Sequence, residues 1–372
     1  MVNRERMTAE FLELVRVDSV SGQERNVADL LKQRLKGMGL EVSEDDTGKK
    51  ISTGAGNIIA RITGDPAAGP PLMICAHMDT VEPGRGIKPV VEGDVIKSSG
   101  DTVLGGDNKA GIAIILEALR VIGENGIKHG GLEAVFTVFE EGGLLGAQNL
   151  DPSLIHAKMG YVLDSDGPPG TIVTRAPTQD RISAAIRGKS AHAGVCPEKG
   201  INAIEVAARA IAGMKLGRID AETTANIGVI SGGKATNIVP DLVNIQGETR
   251  SLDRNKKNRQ TRIITEKLAE AAAASGARVD IKVEELYREF NINENEKVVR
   301  AAVKAAENLG LVPGLVSTGG GSDANMFNEK GIPTAVLGIA MQNVHTTEEF
   351  IRIKDMEASC RYLLEIIKEA GK

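Results

Sequence analysis

The chain has 372 residues, a formal net charge of −5 and 26% charged residues, which is the balance of an ordinary globular protein. It has no basic block, no Trp and few other aromatic residues, which argues against a nucleic-acid-binding protein. No apolar run is long enough to cross a bilayer, so we expect no membrane partner. The three cysteines lack metal-like spacing, and they predict free thiols in the reducing environment of the cytoplasm.

Residues 1–177 mix helical and strand-like patterns. Two amphipathic helical segments come first, TAEFLELVRV and NVADLLKQRLKGMG. Five strand-like segments follow, namely NIIARIT, PLMICAH, VVEGDVIKS, LEAVFTVFE and MGYVLDSD. The segment NKAGIAIILEALRVIGENG is apolar nearly all round and predicts a helix buried against a sheet. This alternation predicts an α/β domain in which helices flank a mixed, mostly parallel sheet.

Residues 178–290 have a different pattern. The order strand, helix, two strands, helix, strand predicts a ferredoxin-like βαββαβ unit, and a segment of about 110 residues suits an inserted domain. In residues 291–372 the first pattern returns, with a helix, the loop STGGGSD, the strand PTAVLG, the loop NVHTTEEF and a closing helix. We therefore expect a main domain that is interrupted by the insert and then completed.

Acidic and imidazole side chains recur at the ends of apolar runs and in glycine-rich turns. His77 and Asp79 end one such run, and residues two apart on a strand share a face. A carboxylate there can hold one imidazole nitrogen and leave the other free for a metal ion. The carboxyl edge of a parallel sheet would bring these two together with the other members of the set, which are Asp107, Glu140, Glu141, Asp164 and His345.

This donor set favours divalent metal ions. Two imidazoles and several carboxylates without a thiolate suit zinc, cobalt or manganese. A pair of ions needs one bridging carboxylate, and the adjacent Glu140 and Glu141 could divide metal binding from proton transfer. Cys196 lies near His192, but a catalytic thiol would need a second histidine and a matching turn. The segment GGDNKAG lacks the spacing of a phosphate-binding loop.

The ordered motifs HMDT, GGDNKAG, EEGGLLGA, LDSDG and VHTTEE resemble the co-catalytic zinc peptidases of the M20 family, most nearly its peptidase T-like tripeptidase branch. The resemblance covers essentially the whole chain. It implies a zinc-exopeptidase-like catalytic domain (1–177 and 291–372) with an inserted lid and dimerisation domain (178–290), and hence a homodimer. It also implies two divalent ions, Zn²⁺ before Co²⁺ or Mn²⁺, and short peptides that lose their N-terminal residue.

The resemblance implies a role for each candidate metal ligand. Asp107 would bridge both ions. His77 and Asp164 would complete one site, and Glu141 and His345 would complete the other. The peptide bond that follows Asp107 is expected to be cis.

The same resemblance implies the remaining roles. Asp79 would orient His77, and Glu140 would act as the general base on a metal-bridging water. His192, in GKSAHAGVCPEKGINAI, would help to hold the tetrahedral oxyanion, either across a dimer interface or on lid closure. Polar groups of the substrate would be held by Asn237, Arg250, Gly320 and Ser322.

Several alternatives remain open at this point. Asp166 follows Asp164 at the same alternation and could replace it as a ligand. Asp101 and Asp323 lie in glycine-rich loops and are expected to act as caps, while both remaining histidines, His129 and His156, are expected at the surface. The rival functions are an N-acyl-amino-acid deacylase, a carboxypeptidase, and a non-catalytic metal or amino-acid binding protein.

Overall fold

The computed structural model describes residues 1–372 and divides into two compact units. Unit 1 comprises Met1–Arg175, Asn291–Ser317 and Ser322–Lys372. Unit 2 comprises Ala176–Phe290 and Thr318–Gly321. None of the helices combines the length and the apolar composition that crossing a membrane requires.

Unit 1 begins with five helices and eight strands. The helices are α1 Arg4–Val15, α2 Arg25–Gly37, α3 Thr47–Lys50, α4 Gly106–Asn125 and α5 Leu145–Asn149. The strands are β1 Glu41–Glu44, β2 Ile58–Ile62, β3 Leu72–His77, β4 Pro89–Glu92, β5 Val95–Ser98, β6 Leu132–Thr137, β7 Gly160–Ser165 and β8 Thr171–Ala176.

Unit 2 contains five strands and two helices, β9 Thr178–Arg187, α6 Ala203–Ala212, β10 Gly217–Arg218, β11 Thr223–Gly232, β12 Leu242–Ser251, α7 Arg254–Ala274 and β13 Arg278–Tyr287. The strands form one antiparallel sheet in the order β10-β11-β12-β9-β13. Both helices pack against it around a buried core that includes Ile182, Val206, Val243 and Leu268. This is the predicted βαββαβ order with the two-residue strand β10 added.

The chain then completes unit 1. The closing elements are β14 Phe290–Asn291, α8 Lys297–Asn308, β15 Gly314–Ser317, α9 Asp323–Glu329, β16 Thr334–Gly338, β17 Phe350–Arg352 and α10 Ile353–Ala370.

The main sheet has nine strands in the order β1-β2-β6-β3-β7-β16-β8-β14, and β15 pairs with β8. Its centre, β6-β3-β7-β16, is parallel, whereas β1, β2 and the pairing of β16 with β8 are antiparallel. The fully buried strand β3 reads as a continuous apolar run, as expected for the middle of a parallel sheet. The predicted fold class, a mixed and mostly parallel sheet with helices, is confirmed.

Helix α4 is the buried helix that the sequence predicted. Its residues from Lys109 to Leu119 are all buried, and it packs against β3, β7, α1 and α10. The apolar residues all round the helix are therefore covered on every side. This packing fixes the start of α4, where Asp107 lies.

The prediction of one strand over VVEGDVIKS is wrong. The segment forms two strands, β4 and β5, joined by a tight turn at Gly93 and Asp94. Gly93 has a φ of +61°, a left-handed conformation that glycine adopts at little cost. The hairpin belongs to a separate three-stranded sheet in the order β17-β5-β4.

Candidate metal and catalytic site

The predicted metal ligands come from five places in unit 1. His77 is the last residue of β3, and Asp164 lies near the end of β7. Asp107 lies in the first turn of α4, Glu141 follows β6, and His345 lies in the loop between β16 and β17. The bond Asp107–Asn108 is cis, as expected.

The structure brings these five side chains into one cluster. His77 Nε2 lies 2.9 Å from Asp107 Oδ1 and 3.6 Å from Asp164 Oδ1. His345 Nε2 lies 3.3 Å from Asp107 Oδ2 and 2.9 Å from Glu141 Oε1. The donor atoms of His77, Asp107 and Glu141 all lie within 4.8 Å of one another. Asp107 therefore presents one oxygen to each histidine.

Asp164, and not Asp166, lies beside His77. Its Oδ1 also accepts a hydrogen bond from Asn108 Nδ2 at 3.0 Å. Asp166 is exposed and lies beyond β7, which ends at Ser165. The strand alternation that made the two aspartates equivalent in the sequence does not extend that far.

The cluster holds more acidic groups than its two imidazoles can neutralise. Burial and the charge of Asp107 raise the pKa of Asp164 to about 7. Hydrogen bonds to Asp107 and Glu141 raise the pKa of His345 to about 10. Both shifts have the expected direction, because nearby negative charges disfavour the ionised form of a carboxyl group and favour the protonated form of an imidazole. A divalent cation among these oxygen and nitrogen donors would supply that charge, so the donor set fits a metal site.

Glu140 is buried beside the cluster, and its carboxylate makes no hydrogen bond to the protein. Burial raises the pKa of Glu140 well above its ordinary value, and the negative charges of Asp164 and Asp323 add to the effect against the opposing charge of His77. A raised pKa makes a carboxylate a stronger base than an exposed one, and without a protein partner its oxygens are available to a proton donor.

The turn that carries Glu140 and Glu141 is held by side chains from distant segments. Four consecutive main-chain N–H groups, those of residues 138–141, donate to buried acceptors. The acceptors are Asn57 for Val138, Glu24 for Phe139, and Asp79 for both glutamates. Buried N–H groups are costly when unpaired, so these three side chains define the path of the chain here.

Phe139, just before the two glutamates, has a φ of +52°. A residue with a side chain rarely adopts this left-handed conformation, and the surrounding structure must hold it there. A Cβ on Gly142 would lie 1.8 Å from the Phe139 ring, so the turn needs glycine at position 142.

Asp79 holds His77 differently from the expectation. His77 Nδ1 lies 2.9 Å from the main-chain oxygen of Asp79 and 3.5 Å from its carboxylate. The reason is that β3 ends at His77, so the strand alternation does not extend to Asp79. The carboxylate instead accepts the N–H groups of Glu140 and Glu141 and the hydroxyl of Ser21.

His192 and Asn237, which the sequence predicted for the oxyanion and for substrate binding, lie on two segments of unit 2 that pair with each other. Ala193 N donates to Asn237 O at 3.0 Å, and His192 forms a bridge pair with Ile238. The His192 side chain is exposed, and its Nδ1 accepts a hydrogen bond from Gly194 N at 3.1 Å.

The other predicted substrate-binding residues already have partners in the chain. Arg250 donates from Nε and Nη2 to the carboxylate of Glu248 at 2.8 and 3.0 Å. Gly320 N donates to the hydroxyl of Thr318. Ser322, in unit 1, is buried next to the start of α9, and its N–H donates to Asn325 Oδ1 at 3.0 Å.

The expected surface position of His129 is wrong, because this residue is only 8% exposed. Its ring accepts a hydrogen bond from Gly131 N, and burial lowers its pKa. His156 has an exposed side chain, as expected.

Asp323 is buried at the start of α9, where it accepts a hydrogen bond from the Thr137 hydroxyl, while Asp101 is exposed.

Comparison with known sequences places the chain in a family. The sequence profile described as Peptidase family M20/M25/M40 matches residues 73–369. The chain is 46% identical to the protein named Uncharacterized protein YqjE of Bacillus subtilis strain 168, with both chains covered in full. It is 27% identical to Peptidase T of Brevibacillus brevis, with 92% of this chain and 90% of the relative covered.

Solved structures agree with this placement. The aminopeptidase PepT from Bacillus cereus ATCC 10987 is 46% identical and superposes with a TM-score of 0.88, with both chains covered in full. A tripeptidase from Staphylococcus aureus subsp. aureus Mu50 is 43% identical, with a TM-score of 0.94 over 100% of this chain and 99% of the other. The resemblance carried by the five motifs is confirmed: the protein is a hydrolase that belongs to peptidase family M20/M25/M40.

Proposed function

We propose that the protein is a metal-dependent exopeptidase that releases the N-terminal residue of tripeptides and other short peptides. The observation that carries the proposal is the cluster of His77, Asp107, Glu141, Asp164 and His345 beside the unpaired carboxylate of Glu140. The aminopeptidase and the tripeptidase that share 46% and 43% of its residues support the substrate class.

The donor set supports two divalent ions that share Asp107. We assign His77 and Asp164 to one ion, and Glu141 and His345 to the other. Zn²⁺ suits this mixture of imidazole and carboxylate donors, with Co²⁺ and Mn²⁺ as alternatives. When bound, such ions polarise a scissile carbonyl and make a water molecule more acidic.

Glu140 and His192 supply the proton transfer and the oxyanion contact in this proposal. Glu140 takes a proton from the attacking water and passes it to the leaving amine. The Nδ1 atom of His192 accepts a hydrogen bond from Gly194, so a neutral ring carries its proton on Nε2. That N–H can donate to the oxyanion of the tetrahedral intermediate.

We assign the binding of polar substrate groups to Asn237, Arg250, Gly320 and Ser322. A guanidinium suits a carboxylate through paired hydrogen bonds. Because Arg250 already pairs with Glu248, a substrate carboxylate would share its guanidinium with that residue. Likewise, a group that binds Gly320 N would displace the hydroxyl of Thr318.

Location and assembly are part of the same proposal. Three cysteines without disulfide bonds support a cytoplasmic protein. A homodimer through unit 2 is supported by β11, because β10 pairs with it only at Thr224 and Ala225. Further along β11, Val229 and Ile230 are exposed, and an open apolar strand edge is a site for pairing with another chain.

The test compares one tripeptide in three forms, namely unmodified, N-acetylated and C-amidated, with zinc-loaded and chelator-treated protein. We expect the zinc-loaded protein to release the N-terminal residue only from peptides with a free amino terminus. Equal turnover of the acetylated peptide would contradict the aminopeptidase assignment. Release of the acyl group would identify a deacylase, and release of the C-terminal residue a carboxypeptidase. Stoichiometric zinc binding without turnover would identify a binding protein.

A further inference from the structure

A buried carboxylate from near the end of the chain holds the loop that presents Asp107. Glu349 is 1% exposed. Its Oε2 accepts the main-chain N–H groups of Leu104 at 2.7 Å and Gly105 at 2.8 Å. Its Oε1 accepts the N–H of Asp107 at 2.9 Å. Both oxygens of one carboxylate are therefore used by three main-chain donors of the same loop.

The loop needs such an acceptor because it leads into α4. The first N–H groups of a helix have no acceptor within the helix, and here the helix start is buried. Gly105 has a φ of +72°, and a Cβ on Gly106 would lie 2.9 Å from Glu349 Oε1. The Glu349 carboxylate thus packs so closely against the loop that position 106 has no room for a side chain.

Glu349 also lies at the base of the loop that carries His345. Gln342 and Phe350 close this loop with two main-chain hydrogen bonds of 3.0 and 3.1 Å. Within it, Glu349 N donates to Thr346 O at 3.2 Å. The side chain of Glu349 therefore joins a loop anchored beside His345 to the loop that presents Asp107.

We propose that Glu349 is a positioning residue that sets the placement of Asp107 relative to His345, the two candidate ligands that face each other at 3.3 Å. This inference rests on the proposed metal site and adds a residue to which no role was assigned. Glu349 is not part of the donor cluster of His77, Asp107 and Glu141, and the hydrogen bonds of its carboxylate go to main-chain N–H groups of the Asp107 loop. Hydrogen bonds to a carboxylate are stronger than neutral ones, so its loss should loosen the Asp107 loop.

The test compares Glu349→Gln with the matched control Glu133→Gln. Glu133 is equally buried and accepts two main-chain N–H groups, from His156 and Ala157, each at 2.8 Å, but it contacts none of the candidate ligands. We expect Glu349→Gln to bind Zn²⁺ about 10- to 100-fold more weakly in competition with a chromophoric chelator. Glu133→Gln should keep the wild-type affinity, even if both variants lose thermal stability.

A second readout does not depend on metal binding. In the metal-free protein, hydrogen–deuterium exchange of the segment 104–107 should accelerate in Glu349→Gln and stay unchanged in Glu133→Gln. Wild-type zinc affinity together with unchanged exchange in Glu349→Gln would overturn the inference. If wild-type protein bound no metal ion and cleaved no peptide, the proposed function would fail, whereas the exchange experiment would still decide whether Glu349 holds this loop.

A second variant, which keeps the charge of Glu349, tests the inference even if Glu349→Gln does not fold. Gly106→Ala places a methyl group against Glu349 Oε1 and leaves every acidic side chain present. We expect weaker zinc binding and faster exchange of the segment 104–107 in this variant as well. Wild-type values for both quantities would count against the positioning role.

Discussion

The main-chain N–H of Glu140 donates a hydrogen bond to Asp79 Oδ1 at 2.9 Å. The other carboxylate oxygen of Asp79 accepts the N–H of Glu141 and the hydroxyl of Ser21. The main-chain oxygen of Asp79 meets the ring of His77. A single residue thus orients one candidate metal ligand and positions the turn that carries another ligand and the candidate base.

This relationship predicts that Asp79→Asn impairs turnover through the position of Glu140. The amide can accept from only one of the two N–H groups, because its nitrogen is a donor. Displacement of a catalytic group by about 1 Å can cost about 10²-fold in rate, so we expect kcat to fall by roughly that factor. Steady-state kinetics of the zinc-loaded variant would show it. The control Ser21→Ala keeps both N–H acceptors and should retain most of the activity, and equal losses in both variants would contradict the assignment.

Glu140 and Glu141 are adjacent, but we expect different losses from them. Glu140→Gln should keep the wild-type metal content and lose turnover by about 10²- to 10⁴-fold, the usual contribution of a general base. Glu141→Gln should lose metal content, because Glu141 belongs to the donor cluster. Metal analysis after dialysis, with kcat for each variant, separates the two roles. Retained turnover in Glu140→Gln would mean that another group is the base.

His192→Ala tests the oxyanion assignment. The residue is exposed, and surface substitutions usually change stability by less than about 0.5 kcal/mol. We therefore expect an unchanged melting temperature and unchanged metal content, with kcat lower by about 10²- to 10³-fold if one oxyanion donor is lost. His156→Ala, which also removes an exposed imidazole, is the control and should remain fully active. Wild-type kcat in His192→Ala would exclude the assignment.

The shifted pKa of Glu24 predicts that the difference in the free energy of unfolding between the wild type and Glu24→Gln depends on pH. Burial, with the charge of Asp79 adding to it, raises the pKa of Glu24 from 4.5 to about 7. The folded protein therefore holds this proton more tightly than the unfolded chain, and the resulting stability is present below pH 4.5 and lost as the pH rises through about 7. A shift of this size corresponds to about 3 kcal/mol.

The experiment compares urea unfolding of the wild type and Glu24→Gln between pH 4 and pH 8, with chelator present. Glutamine stays neutral throughout, so we expect the variant to gain stability relative to the wild type as the pH rises. The gain should level off above the pKa of about 7. A difference in the free energy of unfolding that does not change with pH would show that Glu24 does not titrate in this range.

The sequence could predict the residues that carry the chemistry because each has a local signal. His77 ends an apolar run, Asp107 lies in a glycine-rich turn, and Glu140 ends a strand-like segment. The order of these motifs matched a family. Strand alternation near the ends of strands was less reliable. The alternation made Asp166 and Asp164 equivalent as candidate ligands, and it predicted that the Asp79 carboxylate would contact His77. Both errors arise because the sequence does not show where a strand ends.

The supporting residues could not be predicted in this way. Glu24, Asn57 and Glu349 act by accepting main-chain N–H groups from segments far away in the sequence, and a single acidic or amide residue has no spacing that shows this. Burial of His129 likewise depends on tertiary packing, since its main-chain oxygen pairs with Asp65 on another segment. Of these residues, only Glu349 lies inside a motif, VHTTEEF. The sequence analysis assigned a role to the histidine of that motif, His345, and none to Glu349.

All the candidate ligands and Glu140 belong to unit 1, although the chain runs through the whole of Ala176–Phe290 between Asp164 and His345. Substitutions within that long excursion leave every ligand and the candidate base untouched. Evolutionary drift within Ala176–Phe290 can therefore spare every candidate metal donor and the proton acceptor, and the one proposed catalytic group that it can reach is His192.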